Sequence, residues 1–156
     1  MRSAPRSADL PDVLAFMQGL WAVVHRMERL SKQMGVRSGV TGPQRLVLRL
    51  IGLFPGLSAG DLATLLHLHP STLTGILQRL EEQGLISRAA DPADRRRTVL
   101  GLTQRGTRAS SSTAGTVEGA VEVAFERSTP AQRSATRKFL EEFASALDNE
   151  LDAPRT

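Results

Sequence analysis

The chain has 156 residues, 40% hydrophobic and 23% charged, the composition of one globular domain with room for oligomerisation arms. It contains no cysteine, which excludes disulfides, thiol redox sensing and thiolate metal ligands together. The net charge of +4 is unevenly placed: eight basic residues face three acidic ones over 1–57, seven face five over 58–108, and five face eight over 109–156.

A basic front and an acidic tail suit a protein that turns one face toward phosphate. No run of about 18 apolar residues is present, so no membrane-spanning helix is expected. The opening MRSAPRSADLPDVLAF lacks the apolar core and cleavage site of a secretory leader. The expected location is cytoplasmic.

Residues 1–9 are small, polar and interrupted by Pro5, and are expected to be loose. A long helix is predicted from about Leu10 to Gly35. There Val13, Met17, Leu20, Trp21, Val24, Met27 and Leu30 recur at three- and four-residue spacings as one apolar stripe. The turn-rich GVRSGVTG breaks it. Thr41 then caps a second helix, with Pro43 in its first turn, running through Leu46, Leu50 and Ile51 to Leu53.

Ser58 stands three residues before Asp61, a variant of the capping box, and opens a short helix that points Leu62, Leu65 and Leu66 inward. HLHPS is the turn, and Pro70 is tolerable only near the start of the next helix. That helix places Leu73, Ile76, Leu77 and Leu80 at i, i+3, i+4 and i+7, and Gly84 stops it. The opposite face shows Thr72, Thr74, Gly75, Gln78 and Arg79, with Ser71 at its start. This is not the Glu/Lys mixture that usually solubilises a helix. Small residues allow close backbone approach, and Gln and Arg make bidentate contacts to adenine and guanine edges.

A hairpin follows. LISRAA and TVLGLT are short strand-like runs, with Leu100 and Leu102 on one face, and Asp91-Pro92 favours a turn between them. Arg95, Arg96 and Arg97 crowd the tip and repel one another unless something anionic answers them. Asp94 is placed to hold one, and the negative potential of a DNA minor groove suits the others. From Thr103 a helix is predicted to continue to about Arg127, weakened at SSSTAG. After the cap Ser128-Thr129-Pro130 a last helix carries Ala135, Phe139, Phe143, Leu147 and Leu151. These stripes exceed what a DNA-binding unit of about 50 residues can cover, which predicts a partner, most simply a second copy.

LTGILQRLEEQGLISR (Leu73–Arg88), DPADRRRTVLGLT (Asp91–Thr103) and the following QRG, in this order of elements, resemble the MarR (multiple antibiotic resistance regulator) family of winged-helix transcription factors. The resemblance covers roughly residues 10–150. It implies a mainly α (α+β) fold: a winged helix-turn-helix lobe over 42–103, with dimerisation helices at 10–35 and 105–151, in one MarR-type domain over 1–156. It further implies an obligate homodimer reading palindromic double-stranded DNA, with repression the expected sense. The recognition helix is then 70–83 and the wing 88–100. Asp94 matches the family's wing aspartate and Arg96 its minor-groove arginine, with backbone or phosphate contacts expected from Arg95 and Arg97.

The resemblance also implies a small aromatic or phenolic effector. Trp21, His25 and Arg26 on the first helix are candidates for its pocket, because a urate-sensing branch of the family uses a tryptophan there. No metal site or cofactor is expected: His67 and His69 sit two apart across a helix end, where they cap or line the turn. No nucleophile elbow, phosphate-cradling loop or HExxH occurs, so no enzymatic activity is expected. The competing reading is a winged-helix protein–protein adaptor, which would present Leu, Phe or Tyr at 72, 75 and 79.

Overall fold

The computed structural model describes residues 10–153; the expected loose leader at 1–9 lies outside them. The chain divides into two compact units, Met1–Val117 and Glu118–Thr156. In the first, α1 (Asp12–Ser38) is followed by α2 (Gly42–Leu53), α3 (Ala59–Leu66) and α4 (Pro70–Glu82). An antiparallel hairpin of β1 (Ile86–Ala90) and β2 (Thr98–Leu102) comes next, then α5 (Gln104–Ser110). The helix α6 (Val117–Glu126) starts at the boundary, and α7 (Pro130–Asp152) completes the second unit.

Local chemistry fixes most of these ends. At α2, Gln44 Oε1 accepts from the Thr41 N–H at 2.8 Å, so the amide three residues on closes the cap. Ser58 and Asp61 close the capping box of α3 as expected. At α7 Thr129 and Gln132 do the same, with Pro130 at the first helical position. The helix α4 ends where Gly84, at φ +64°, lets the Leu85 N–H reach the Leu80 carbonyl at 2.9 Å and its own N–H reach Glu81 at 2.8 Å.

The core of the first unit lies under the helix-turn-helix. Val47, Leu48 and Ile51 of α2 meet Leu62 of α3 and Leu73, Leu77 and Leu80 of α4, with Leu85, Ile86 and Leu100 sealing the hairpin side. One leucine departs from expectation, Leu65 of α3, which is exposed; Leu46 and Leu53 of α2 are exposed as well. The run LVLRLIGL is apolar on every side of α2, so its periodicity does not say which face turns inward. On α3, Leu62 alone is fully buried, with Leu66 half-covered.

The predicted helix from Thr103 to Arg127 is broken into α5 and α6. The Ser110 and Ser111 hydroxyls donate back to the carbonyls of Thr107 and Arg108, at 3.1 and 2.8 Å, competing with onward helix bonds. Gly115 then takes φ +68°, a conformation no right-handed helix continues through. The buried Arg45 of α2 fixes the end of α5, donating to the carbonyls of Ala109 and Ser110 at 3.0 and 3.2 Å.

The stripe of α1 stays outward: Val13, Met17, Trp21, Val24 and Met27 are exposed. In the second unit Val121, Phe125, Phe139, Leu147 and Leu151 are exposed too. There Phe139 and Phe143 stack with centroids 6.3 Å apart, and Arg133 lies 5.4 Å over Phe125. No helix among the described residues is long and apolar enough to cross a membrane.

Candidate nucleic-acid interface

The helix α4 buries one face and offers the other. Leu73, Leu77 and Leu80 enter the core, while Ser71, Thr72, Thr74, Gly75, Gln78 and Arg79 are all exposed. Thr74 turns its hydroxyl back onto the Pro70 carbonyl at 2.8 Å. Gln78 rests its amide on Glu82 at 3.0 Å, a single exposed bond that a base edge can replace. Nothing lies within 4 Å of where a Cβ of Gly75 would be, so the middle of this face is flat and open.

The two histidines are placed at helix ends, as the turn predicts. His67 closes α3 in the left-handed conformation at φ 50°, among the described residues the one non-glycine with positive φ. His69 caps α4: its Nδ1 accepts from the Ser71 N–H at 3.3 Å and lies 2.8 Å from the Ser71 hydroxyl. No cluster of three or more metal-ligating side chains occurs among the described residues.

The hairpin is tied to the helices midway along its strands. Arg88 Nε donates to Glu81 Oε2 at 2.9 Å, joining β1 to α4. The Leu100 N–H donates to the Leu57 carbonyl at 2.8 Å, joining β2 to the residue before the α3 cap. At the tip, Asp91 Oδ1 accepts the Ala93 N–H at 2.8 Å, the turn expected of Asp-Pro.

Asp94 holds no guanidinium among the described residues. Its Oδ1 accepts the Arg96 backbone N–H at 3.0 Å and shapes the loop instead. The arginine that is held is Arg97, by Asp61 of α3 and, at 3.9 Å, by Asp91. Arg95 and Arg96 are exposed and make no side-chain hydrogen bond or ion pair among the described residues. In the sequence Asp61 stands only as the capping acid of α3, and Glu81 and Arg88 have no role; their pairings with the hairpin join residues 36 and 7 positions apart.

Trp21, His25 and Arg26 are all exposed on α1, Trp21 at 63%. Arg26 donates to the Ala22 carbonyl at 2.9 Å, one turn back. None of the three lines the cleft of about 490 Å³ in the first unit, which is walled by the end of α2, β2 and α5, with Arg49, Thr107 and Ser110 among its polar groups.

The MarR family profile matches residues 38–97, from the end of α1 through the wing arginines. The HTH-type transcriptional regulator TtmR of Methylorubrum extorquens is 34% identical over 105 residues, covering 67% of this chain and 52% of its own length. The chain therefore spans about half the length of that relative. The structure of CouR from Rhodococcus jostii RHA1 bound to p-coumaroyl-CoA superposes with a TM-score of 0.70 at 25% identity, covering 90% of this chain and 96% of CouR. The MepR–DNA complex of S. aureus gives 0.69 at 22% identity, covering 85% and 97%, a likeness of fold. Over residues 38–97 the chain is similar to the MarR family, and the relatives and the winged helix-turn-helix architecture agree with that similarity.

Proposed function

We propose that the chain is a sequence-specific DNA-binding transcriptional regulator, acting most simply as a repressor. The observation that carries this reading is the pairing of two surfaces in the first unit. The exposed face of α4 is small and open around Gly75, flanked by Gln78 and Arg79, and the wing next to it ends in two arginines with no partner among the described residues. A helix suits the major groove and an arginine-tipped ribbon the minor groove. The adaptor reading has no observation in its favour, since positions 72, 75 and 79 carry Thr, Gly and Arg.

The finer parts of the reading are a homodimer, a cytoplasmic location and a small aromatic effector. The exposed stripes of α1 and α7 support the dimer, as two copies can cover them. The cleft beside Arg49, Thr107 and Ser110 offers polar groups in an apolar frame, and Trp21, His25 and Arg26 offer a more open aromatic and cationic group on α1. Either place suits a small aromatic anion; CouR, which resembles this chain in fold, holds p-coumaroyl-CoA. Anisotropy titration of a labelled duplex in stepped salt tests the central part. The reading requires binding that weakens steeply with salt; salt-independent binding, or none, removes it.

A further inference from the structure

The three wing arginines do not share one task. Asp61 Oδ2 accepts the Ser58 N–H and the Ser58 hydroxyl, each at 2.8 Å, as the acid of the α3 capping box. The same oxygen receives Nη2 of Arg97, across 36 residues of sequence. Arg97 Nη1 lies 3.9 Å from Asp91 Oδ2 on the other flank of the tip. Its guanidinium thus stands between two carboxylates, whereas Arg95 and Arg96 stand free among the described residues.

The hairpin is accordingly fastened to α3 at two heights. The backbone bond from Leu100 to Leu57, just ahead of the α3 cap, holds the middle of β2, and the Arg97–Asp61 pair holds the strand where it enters the tip. A two-stranded hairpin alone is marginal in water, and one pinned at a single height can pivot. The pair itself is close to half exposed on both sides, so its contribution to global stability is small. Its effect is on angle.

We infer that Arg97 is a positioning residue: clasped by Asp61, it sets the wing against the helix-turn-helix so that Arg95 and Arg96 reach the duplex. This rests on the DNA-binding reading and divides the wing's charge. Two arginines displace counterions from DNA, and the third is already neutralised by its own protein. The rival is that Arg97 leaves Asp61 for a phosphate when DNA arrives. The two make opposite predictions for Asp61→Asn. Removing an acid beside the DNA and freeing Arg97 tightens binding under the rival; loosening the wing weakens it under the clasp. Asparagine retains an oxygen to accept the Ser58 N–H, so the start of α3 survives.

The test uses the full chain as Asp61→Asn, Arg97→Gln and the double variant. In hydrogen exchange without DNA, segment 91–98 should exchange several-fold faster in all three, to the same extent, with α4 unchanged. Anisotropy with a random-sequence duplex should then show each single variant weakened roughly tenfold and the double no further, with the salt slope of wild type. Unchanged exchange, tighter binding by Asp61→Asn, or a salt slope reduced by about one contact in Arg97→Gln each overturns the clasp. If wild type binds no duplex, the DNA-binding reading fails and exchange alone decides the clasp.

Discussion

The backbone of Gly106 rests directly on the carbonyl of Leu85: a Cβ on Gly106 would lie 2.0 Å from that oxygen. The contact locks the start of α5 against the exit from α4. Thr103 completes the joint, its hydroxyl donating to the Gly84 carbonyl at 2.7 Å and accepting the Gly106 N–H at 3.0 Å. The element that leaves the wing is thereby keyed to the element that enters it. This explains why a glycine follows the wing in QRG.

Gly106→Ala is therefore expected to destabilise the first unit by about 1–3 kcal/mol, the scale of forcing extra volume into a packed site. Backbone must move, because no flexible side chain is available to yield. Urea unfolding followed by circular dichroism measures it. A midpoint equal to that of wild type would contradict the keyed joint.

At the DNA surface, Arg96→Ala should weaken binding by about 1–3 kcal/mol, the scale of one good groove contact. Gln78→Ala and Arg79→Ala should instead relax discrimination between specific and random duplexes, because base-edge contacts specify where phosphate contacts only position. Gel shifts at moderate salt on both duplexes separate the two effects. Unchanged affinity and selectivity in all three variants would remove the interface.

How much of this was legible in the sequence follows from the range of each interaction. The caps at Thr41, Ser58 and Thr129 close within three residues, and a reading of neighbours finds them. The exposed face of α4 follows from one apolar stripe and its complement. The break at 111–116 was visible only as weak propensity, since back-bonding hydroxyls and the conformation of Gly115 belong to the folded chain. The partner of Arg97 could not be read at all. Asp61 looks complete as a capping acid, and only the fold brings the wing to it.

Asp61 also sets a pH dependence. The Ser58 backbone N–H, then the Ser58 hydroxyl, and further Arg97 hold its carboxyl below the ordinary aspartate value of 3.8. A depressed folded-state pKa gives stability that is present above the unfolded value and is lost as pH falls through the folded one. Wild type should therefore exceed Asp61→Asn in stability at pH 7, and the difference should shrink below about pH 4. Urea midpoints at pH 7 and pH 3 measure this. A gap that is constant or grows with acid would contradict it.

A homodimer that covers the stripes of α1 and α7 should bury on the order of 2,000 Å² or more, as obligate interfaces do. Light scattering at micromolar concentration should give twice the chain mass. Phe143→Asp, which breaks the stack with Phe139, should lower both the dimer fraction and DNA affinity. A monodisperse monomer of wild type would contradict the dimer.

The central claim is that α4 and the wing read a specific duplex, and sequencing the DNA retained from a random pool tests it most directly. Two copies related by a two-fold axis should enrich an inverted repeat, with half-site centres about one helical turn apart, near 34 Å. The Gln78→Ala and Arg79→Ala proteins should enrich a weaker or altered motif. A retained pool no different in sequence from the input would contradict the account.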